Sequence, residues 1–330
     1  MIDLRTSYLG LELKNPLVPS ASPLSRDLDS AKKLEDAGAS ALVLHSLFEE
    51  SIRAADEDKL LFMQEQAGDS GAVSLFRNDL DDYLEHIQRL RQSLDIPLIA
   101  SLNGISRQGW IEHASQLQQA GADALELNVY YVASNPHESG AEVEQRYIDL
   151  LRELRQHISI PLTMKITSQF SSVGHFVGSL QQAGADGVAL FNRFYQPGIN
   201  LFTREFEPAI SLSSGYESLL RINWVAALYG KVDLSLAVTG GIHSAADVLR
   251  ALMAGADVTH LCSVLLRNGP QHLAVILQEM LGLMHEYEYE AVSQIKGSVR
   301  RDSAATAEDS DRASYVKLMQ TYLGNPGIWR

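Results

Sequence analysis

Four copies of one short unit constrain this chain: Ala37-Gly38-Ala39, Ala120-Gly121-Ala122, Ala183-Gly184-Ala185 and Ala254-Gly255-Ala256. Each closes a helix-like stretch and opens a short apolar run. Glycine ends a helix in a left-handed conformation without strain, and small flanking alanines let that end sit close to a sheet. A second mark alternates with the first: Ile96-Pro97 and Ile160-Pro161 open strands that end in polar residues. This rhythm predicts an α/β fold, a parallel (β/α)8 barrel of the TIM type, with strands over residues 16–21, 41–45, 97–102, 123–128, 161–166, 187–191, 233–239 and 257–262.

Between the strands, apolar residues recur at helical spacing. Leu80, Tyr83, Leu84, Ile87, Leu90 and Leu94 form one stripe, and Val143, Tyr147, Leu151, Leu154 and Ile158 another. Residues 6–14 read as an N-terminal hairpin that plugs the barrel bottom. The barrel is expected over residues 1–290, with a partly mobile C-terminal extension over 291–330. Two connections, 46–76 and 192–215, are too long for plain turns. Both follow strands, so both emerge at the C-terminal face, where barrels hold their sites.

A chain with 45% hydrophobic and 21% charged residues builds a sizeable core, and its net charge of -14 argues against a general nucleic-acid or anionic-membrane surface. Cys262 is the single cysteine, which excludes an internal disulfide and fits a reducing compartment. The first residues lack a basic segment followed by a long apolar run. No signal peptide or membrane anchor is expected, and a cytoplasmic location is. The ten histidines show neither His-Glu-x-x-His nor a close cysteine pairing, so no metal site is expected.

The strand ends gather polar groups at one mouth: Ser20-Ala21-Ser22, His45-Ser46, Ser101-Leu102-Asn103, Glu126-Leu127-Asn128, Lys165, Asn192, Thr239-Gly240-Gly241 and Cys262-Ser263. Thr239-Gly240-Gly241 after strand seven and Ser263 after strand eight stand where such barrels bind phosphate, since glycines let backbone N–H groups approach an anion. Lys165 lies inside an apolar strand. There it either snorkels out as a structural residue, holds its charge at the mouth to stabilise an anion, or forms a Schiff base.

Taken in order, Asn15-Pro16-Leu17-Val18-Pro19-Ser20-Ala21-Ser22, Glu126-Leu127-Asn128, Met164-Lys165, Asn192, Thr239-Gly240-Gly241-Ile242 and Leu261-Cys262-Ser263 resemble the dihydroorotate dehydrogenase family over roughly residues 1–290. Asn128-Val129-Tyr130-Tyr131 and Phe191-Asn192-Arg193-Phe194-Tyr195-Gln196-Pro197 resemble its dihydroorotate dehydrogenase-like subgroup, which keeps the FMN site but lacks the usual base. The resemblance implies an FMN-dependent oxidoreductase of pyrimidine biosynthesis that moves hydride between a CH–CH substrate, dihydroorotate or a related ring, and flavin. It also implies a homodimer. Ser20, Ala21, Ser46 and Asn103 then line the flavin, and Asn128 and Lys165 bond its ring edge. Thr239, Gly240, Gly241, Cys262 and Ser263 cradle the phosphate, although the family usually has glycine where Cys262 stands. Ser213 to Gly215 form a flavin-contacting loop; His45, Asn128 and Asn192 face substrate.

The resemblance also marks departures. The family's loop after strand four reads Asn-Leu-Ser-Cys-Pro-Asn, the cysteine or a replacing serine taking the substrate proton. Tyr131 stands at that catalytic position here, Ala133 at a substrate asparagine, His45 at a lysine and Arg193 at a small hydroxyl residue. A phenol with an ordinary pKa of about 10 is a poor base at neutral pH. Three readings stay open: a flavin oxidoreductase, an FMN-binding protein without turnover, and a phosphate-binding lyase or isomerase that uses Lys165 as imine former.

Overall fold

A computed structural model describes residues 2–50, 80–104, 107–193, 195–207, 210–299 and 304–321. The chain opens with an antiparallel hairpin, β1 (Thr6–Tyr8) and β2 (Leu11–Leu13). It continues through β3 (Leu17–Pro19), α1 (Leu28–Asp36), β4 (Leu42–Val43), β5 (Leu47–Phe48), α2 (Leu80–Ser93), β6 (Leu98–Gly104), α3 (Arg107–Ala120), β7 (Ala124–Val129) and α4 (Gly140–Arg155). Then come β8 (Leu162–Ile166), α5 (Val173–Gln182), β9 (Gly187–Leu190), a small hairpin of β10 (Gly198–Ile199) and β11 (Phe206–Glu207), α6 (Ser218–Leu228), β12 (Ser235–Thr239), α7 (Ala245–Ala254), β13 (Val258–Leu261) and α8 (Ser263–Asn268). Helices α9 (His272–Glu286), α10 (Val292–Ile295) and α11 (Ala304–Thr321) complete it.

The barrel strands are all parallel, in the order β3-β13-β12-β9-β8-β7-β6-β4, and β5 continues the β4 position against β6. The ring is nearly closed. Across its seam the Leu17 carbonyl accepts both the backbone N–H of Ser40 (3.1 Å) and its Oγ (2.9 Å). All eight expected strand positions are occupied, and the expected hairpin is present.

The four glycine units share one physical cause. Gly38, Gly121, Gly184 and Gly255 all have φ between 102° and 114°. The alanine after each donates five residues back, as in Ala39 N–H to Leu34 O and Ala256 N–H to Ala251 O. That is the Schellman helix stop. Three units continue with an aspartate whose carboxylate accepts an N–H at the start of the preceding strand: Asp123 for Leu98 (2.9 Å), Asp186 for Leu162 (2.8 Å) and Asp257 for Leu236 (2.7 Å). Each helix stop thereby also fixes the start of the neighbouring strand.

The hairpin closes the floor. Tyr8 is fully buried, its Oη donating to Thr163 Oγ1 (3.4 Å), and Leu9 N–H donates to Ser235 Oγ (2.9 Å). Tyr8, Leu9, Leu13, Val18, Val43, Ile99, Ala124, Ala189, Ala237 and Val258 form the apolar lower interior. A larger apolar layer lies between barrel and helices, where the predicted stripes of α2 and α4 are buried.

One detail differs from the sequence reading. Strand two breaks at Leu44–Ser46, and the Tyr83 hydroxyl fills the gap: it donates to the His45 carbonyl (2.8 Å) and accepts from Ser101 N–H (3.3 Å). The 192–215 connection, expected to be too long for a plain turn, carries the β10–β11 hairpin. Most of the 46–76 connection lies outside the described residues. Residues 291–299 are knitted to the barrel, through Val292 N–H to Asp3 O (2.9 Å) and Gly297 N–H to Leu252 O (2.9 Å). Among the described residues no helix is long and apolar enough to cross a membrane.

Candidate active site at the C-terminal mouth

Parallel register decides which side chains meet. Asn103 pairs with Asn128 and Asn128 with Lys165, so three polar groups stand in one row across β6, β7 and β8, all buried. The row beneath holds Ser101, Glu126 and Thr163. Lys165 bends back into that lower row, its Nζ donating to Glu126 Oε1 at 3.3 Å. Asn192, just past β9, donates its Nδ2–H to Asn128 Oδ1 at 2.6 Å. Three amides and an ammonium thus converge on one side of the mouth.

On the strand-two side, Ser46 Oγ lies 2.9 Å from Ser101 Oγ, and Ser20 N–H donates to Leu261 O (2.8 Å). His45 is buried, with its ring edge against Tyr83 at 4.9 Å. Burial, then the nearby Arg26 and His86, hold its imidazole down at about 3, so it is neutral at physiological pH. Its backbone is fixed by Ser25, whose Oγ accepts from His45 N–H (2.7 Å).

The opposite side is built for an anion. Gly240 and Gly241 have φ of 93° and 81°, and a Cβ on Gly241 would lie 2.2 Å from the Ser218 nitrogen. Only glycine fits there. Ser263 Oγ accepts Ser213 N–H at 3.0 Å, and Ser213 Oγ lies 3.1 Å from His243 Nε2 and accepts Gly241 N–H at 3.4 Å. Cys262 is half-buried next to Ser263, and desolvation pushes its thiol above the usual range. The bracing residue missed in the sequence is Arg221 of α6. It donates to the carbonyls of Thr239 (2.5 Å), Glu217 (2.6 Å) and Phe191 (3.3 Å), joining strand ends β9 and β12 to the Ser213–Gly215 loop side. Its signal was an arginine at a buried position of an otherwise apolar helix.

Tyr131 stands apart from this row. It is half-buried, and its Oη donates to Glu138 Oε2 at 2.5 Å. Glu138 is ion-paired with Arg146, whose guanidinium lies 4.8 Å from the Tyr131 ring centre. The preceding Tyr130 reaches across instead, its Oη accepting Tyr195 N–H (2.7 Å). Ala133 is exposed. Arg193 is held by the Ser211 carbonyl and lies 3.4 Å from Glu217. Among the described residues no group of three or more His, Cys, Asp or Glu could hold a metal ion.

Residues 3–284 match the family model described as dihydroorotate dehydrogenase. The chain belongs to the dihydroorotate dehydrogenase family. It is 25% identical over 306 residues to the catalytic subunit of dihydroorotate dehydrogenase B (NAD(+)) of Methanothermobacter thermautotrophicus, covering 89% of this chain and 97% of that protein. It is 24% identical over 269 residues to dihydroorotate dehydrogenase A (fumarate) of Lactobacillus delbrueckii subsp. bulgaricus, covering 78% and 86%. The catalytic subunit from Methanocella arvoryzae is 26% identical over 255 residues, covering 75% and 82%. This is a family of flavoprotein oxidoreductases of pyrimidine biosynthesis, and the chain is an FMN-dependent oxidoreductase within it. The lyase or isomerase reading is not favoured. The mouth fits FMN in kind: a glycine pair that no Cβ could occupy for the phosphate end, and buried amides with an ammonium for the ring edge.

Proposed function

We propose that this protein moves hydride between FMN and a saturated CH–CH bond of a small acid related to dihydroorotate but distinct from it. The carrying observation is the row Asn103, Asn128 and Lys165 with Asn192 bonded to Asn128, beside a Tyr131 already engaged by Glu138. In this reading Gly240, Gly241, Cys262 and Ser263 hold the phosphate with Thr239, Ser213 and Gly215. Ser20, Ala21, Ser46 and Asn103 bed the ring, and His45 and Asn192 face substrate. Bound FMN supplies the hydride acceptor. Lys165 places a positive charge where negative charge develops, which stabilises the transition state because the ammonium needs no reorganisation. The Asn128–Asn192 amides offer donors and an acceptor that orient a planar acid or amide group.

The proton is the point of departure. Because the Tyr131 hydroxyl donates to Glu138, its oxygen takes a proton from substrate carbon only as the phenolic proton passes to Glu138. His45, Ala133 and Arg193 alter the substrate side further, which supports a different ring or acid. Dihydroorotate mixed anaerobically with the flavin-loaded protein should bleach the flavin at least ~100-fold more slowly than a typical turnover of about 10 per second. Stopped-flow absorbance checks this, and bleaching near 10 per second would overturn the substrate reading.

The fold leaves Ile199, Leu201, Phe202, Phe206 and Ile210 exposed on and beside the β10–β11 hairpin. Exposed apolar residues gathered on and beside one hairpin suit an interface, and a homodimer is the partner we propose. Light scattering should give twice the 36.3 kDa chain mass, and Phe202→Asp with Phe206→Asp should return it to the monomer value. A monomeric wild-type protein at micromolar concentration would refute the dimer. The cofactor unit spans residues 1–290 and the extension 291–330 in this reading, and the protein acts in the cytoplasm without nucleic-acid or membrane partners.

A further inference from the structure

Beneath the Asn103–Asn128–Lys165 row, the barrel centre holds three ionisable side chains away from water. Glu126 and His260 are at most 1% exposed and Lys165 is 7%. Lys165 Nζ is 3.3 Å from Glu126 Oε1, while Glu126 Oε2 is 3.7 Å from His260 Nδ1, beyond hydrogen-bond reach. Among the described residues, neither Glu126 Oε2 nor either imidazole nitrogen has a hydrogen-bond partner. Tyr8 seals the floor, its ring edge-on to the imidazole at 5.9 Å. Buried polar atoms are normally satisfied, so an orphaned carboxylate oxygen beside an orphaned imidazole is costly and calls for a role.

Among the described residues, these charged or titratable groups stand around His260. Glu126 comes from β7, Lys165 from β8 and Tyr8 from the hairpin; Asp257 and Cys262 flank it on its own strand and strand end. Asp257 is turned away to Lys296 and to Leu236 N–H. Burial, aided by Lys165 and opposed by Glu126, holds the imidazole down at about 4. The imidazole is therefore uncharged at neutral pH, and the Lys165 ammonium is the cation beside Glu126.

We propose that the Glu126–His260 pair takes up one proton from solvent when the FMN served by Lys165 gains two electrons. This rests on the reading that Lys165 faces the flavin. The hydride leaving substrate carries two electrons and one proton, so the acceptor gains one net negative charge. Lys165 is drawn toward that charge and away from Glu126. The carboxylate then loses its counter-ion, and a proton on His260 replaces it. When the electrons leave, the proton returns to solvent. The proton belongs to the pair, because two groups this close titrate together. His260 touches neither substrate nor flavin in this scheme and acts through Lys165 as a charge-compensating residue.

The test is a spectroelectrochemical titration of the flavin-loaded protein from about pH 5 to about pH 8, the range a histidine spans. One extra proton per two electrons changes the reduction equilibrium tenfold per pH unit, which is about 30 mV per unit for a two-electron couple. The wild-type potential should fall more steeply with pH than that of His260→Gln by about this amount. Glu126→Gln, the second variant should His260→Gln not fold, should show the same flattening. Colourless protein that binds no added FMN would refute the flavin placement on which the scheme rests. Yellow protein whose wild-type and variant lines run parallel would overturn the proton uptake alone. A purely structural role would lower melting temperature without changing the slope, and that outcome also overturns it.

Discussion

Gly241→Asp should strip the barrel of FMN, leaving less than about a tenth of wild-type flavin content in protein that keeps its far-UV dichroism. Two effects act together. At φ 81° the new Cβ stands 2.2 Å from the Ser218 nitrogen, so the start of α6 must move and the glycine pair loses its shape. The carboxylate also faces the phosphate. Two like charges about 4 Å apart at an effective dielectric near 20 repel by about 4 kcal/mol, roughly a thousandfold in affinity. Ser263→Asp separates the two, since it adds the charge at a position without positive φ. It should lose flavin by charge alone, with a smaller drop in melting temperature. Full occupancy in both variants, read from the ratio of flavin to protein absorbance, would sink the phosphate placement.

Much of this barrel is legible because its signals are local. Ala-Gly-Ala stops a helix through bonds five residues long, and the same unit starts the next strand, so one motif reports two boundaries. The strand ends likewise gather Asn103, Asn128 and Lys165 at one mouth from sequence alone, and the parallel register then sets them in one row. What was not legible depends on distant partners. Tyr83 reads as one more residue in an apolar stripe, and only the fold shows its hydroxyl bridging His45 and Ser101. His260 sits in the four-residue strand Val258–Leu261, where a histidine reads as a core residue; its neighbour Glu126 is 134 positions away in the chain. Tyr131 was singled out by position, but its pairing with Glu138 and Arg146 follows from how α4 packs on the loop, which no spacing encodes.

The same buried centre sets the second large effect, on stability. Glu126→Leu should destabilise the flavin-free protein by about 3–5 kcal/mol, because it leaves the Lys165 ammonium desolvated with its Glu126 acceptor gone. The flavin is removed first so that cofactor binding adds nothing to the difference. Attraction between the two charges does not by itself make the pair a net gain, since each lost its water on burial. Removing both should therefore be milder than removing one. Glu126→Leu combined with Lys165→Met, which replaces the pair with apolar groups of similar length, should recover most of the loss. The arithmetic of the double-mutant cycle isolates the coupling, expected to exceed about 2 kcal/mol for residues in direct contact. Urea denaturation of the wild-type, single and double variants measures it. A Glu126→Leu change below about 1 kcal/mol would mean that Lys165 can reach solvent or another acceptor when Glu126 is gone. In that case the ammonium is not held at the mouth by the barrel centre, and its position during hydride transfer is set by the bound flavin instead.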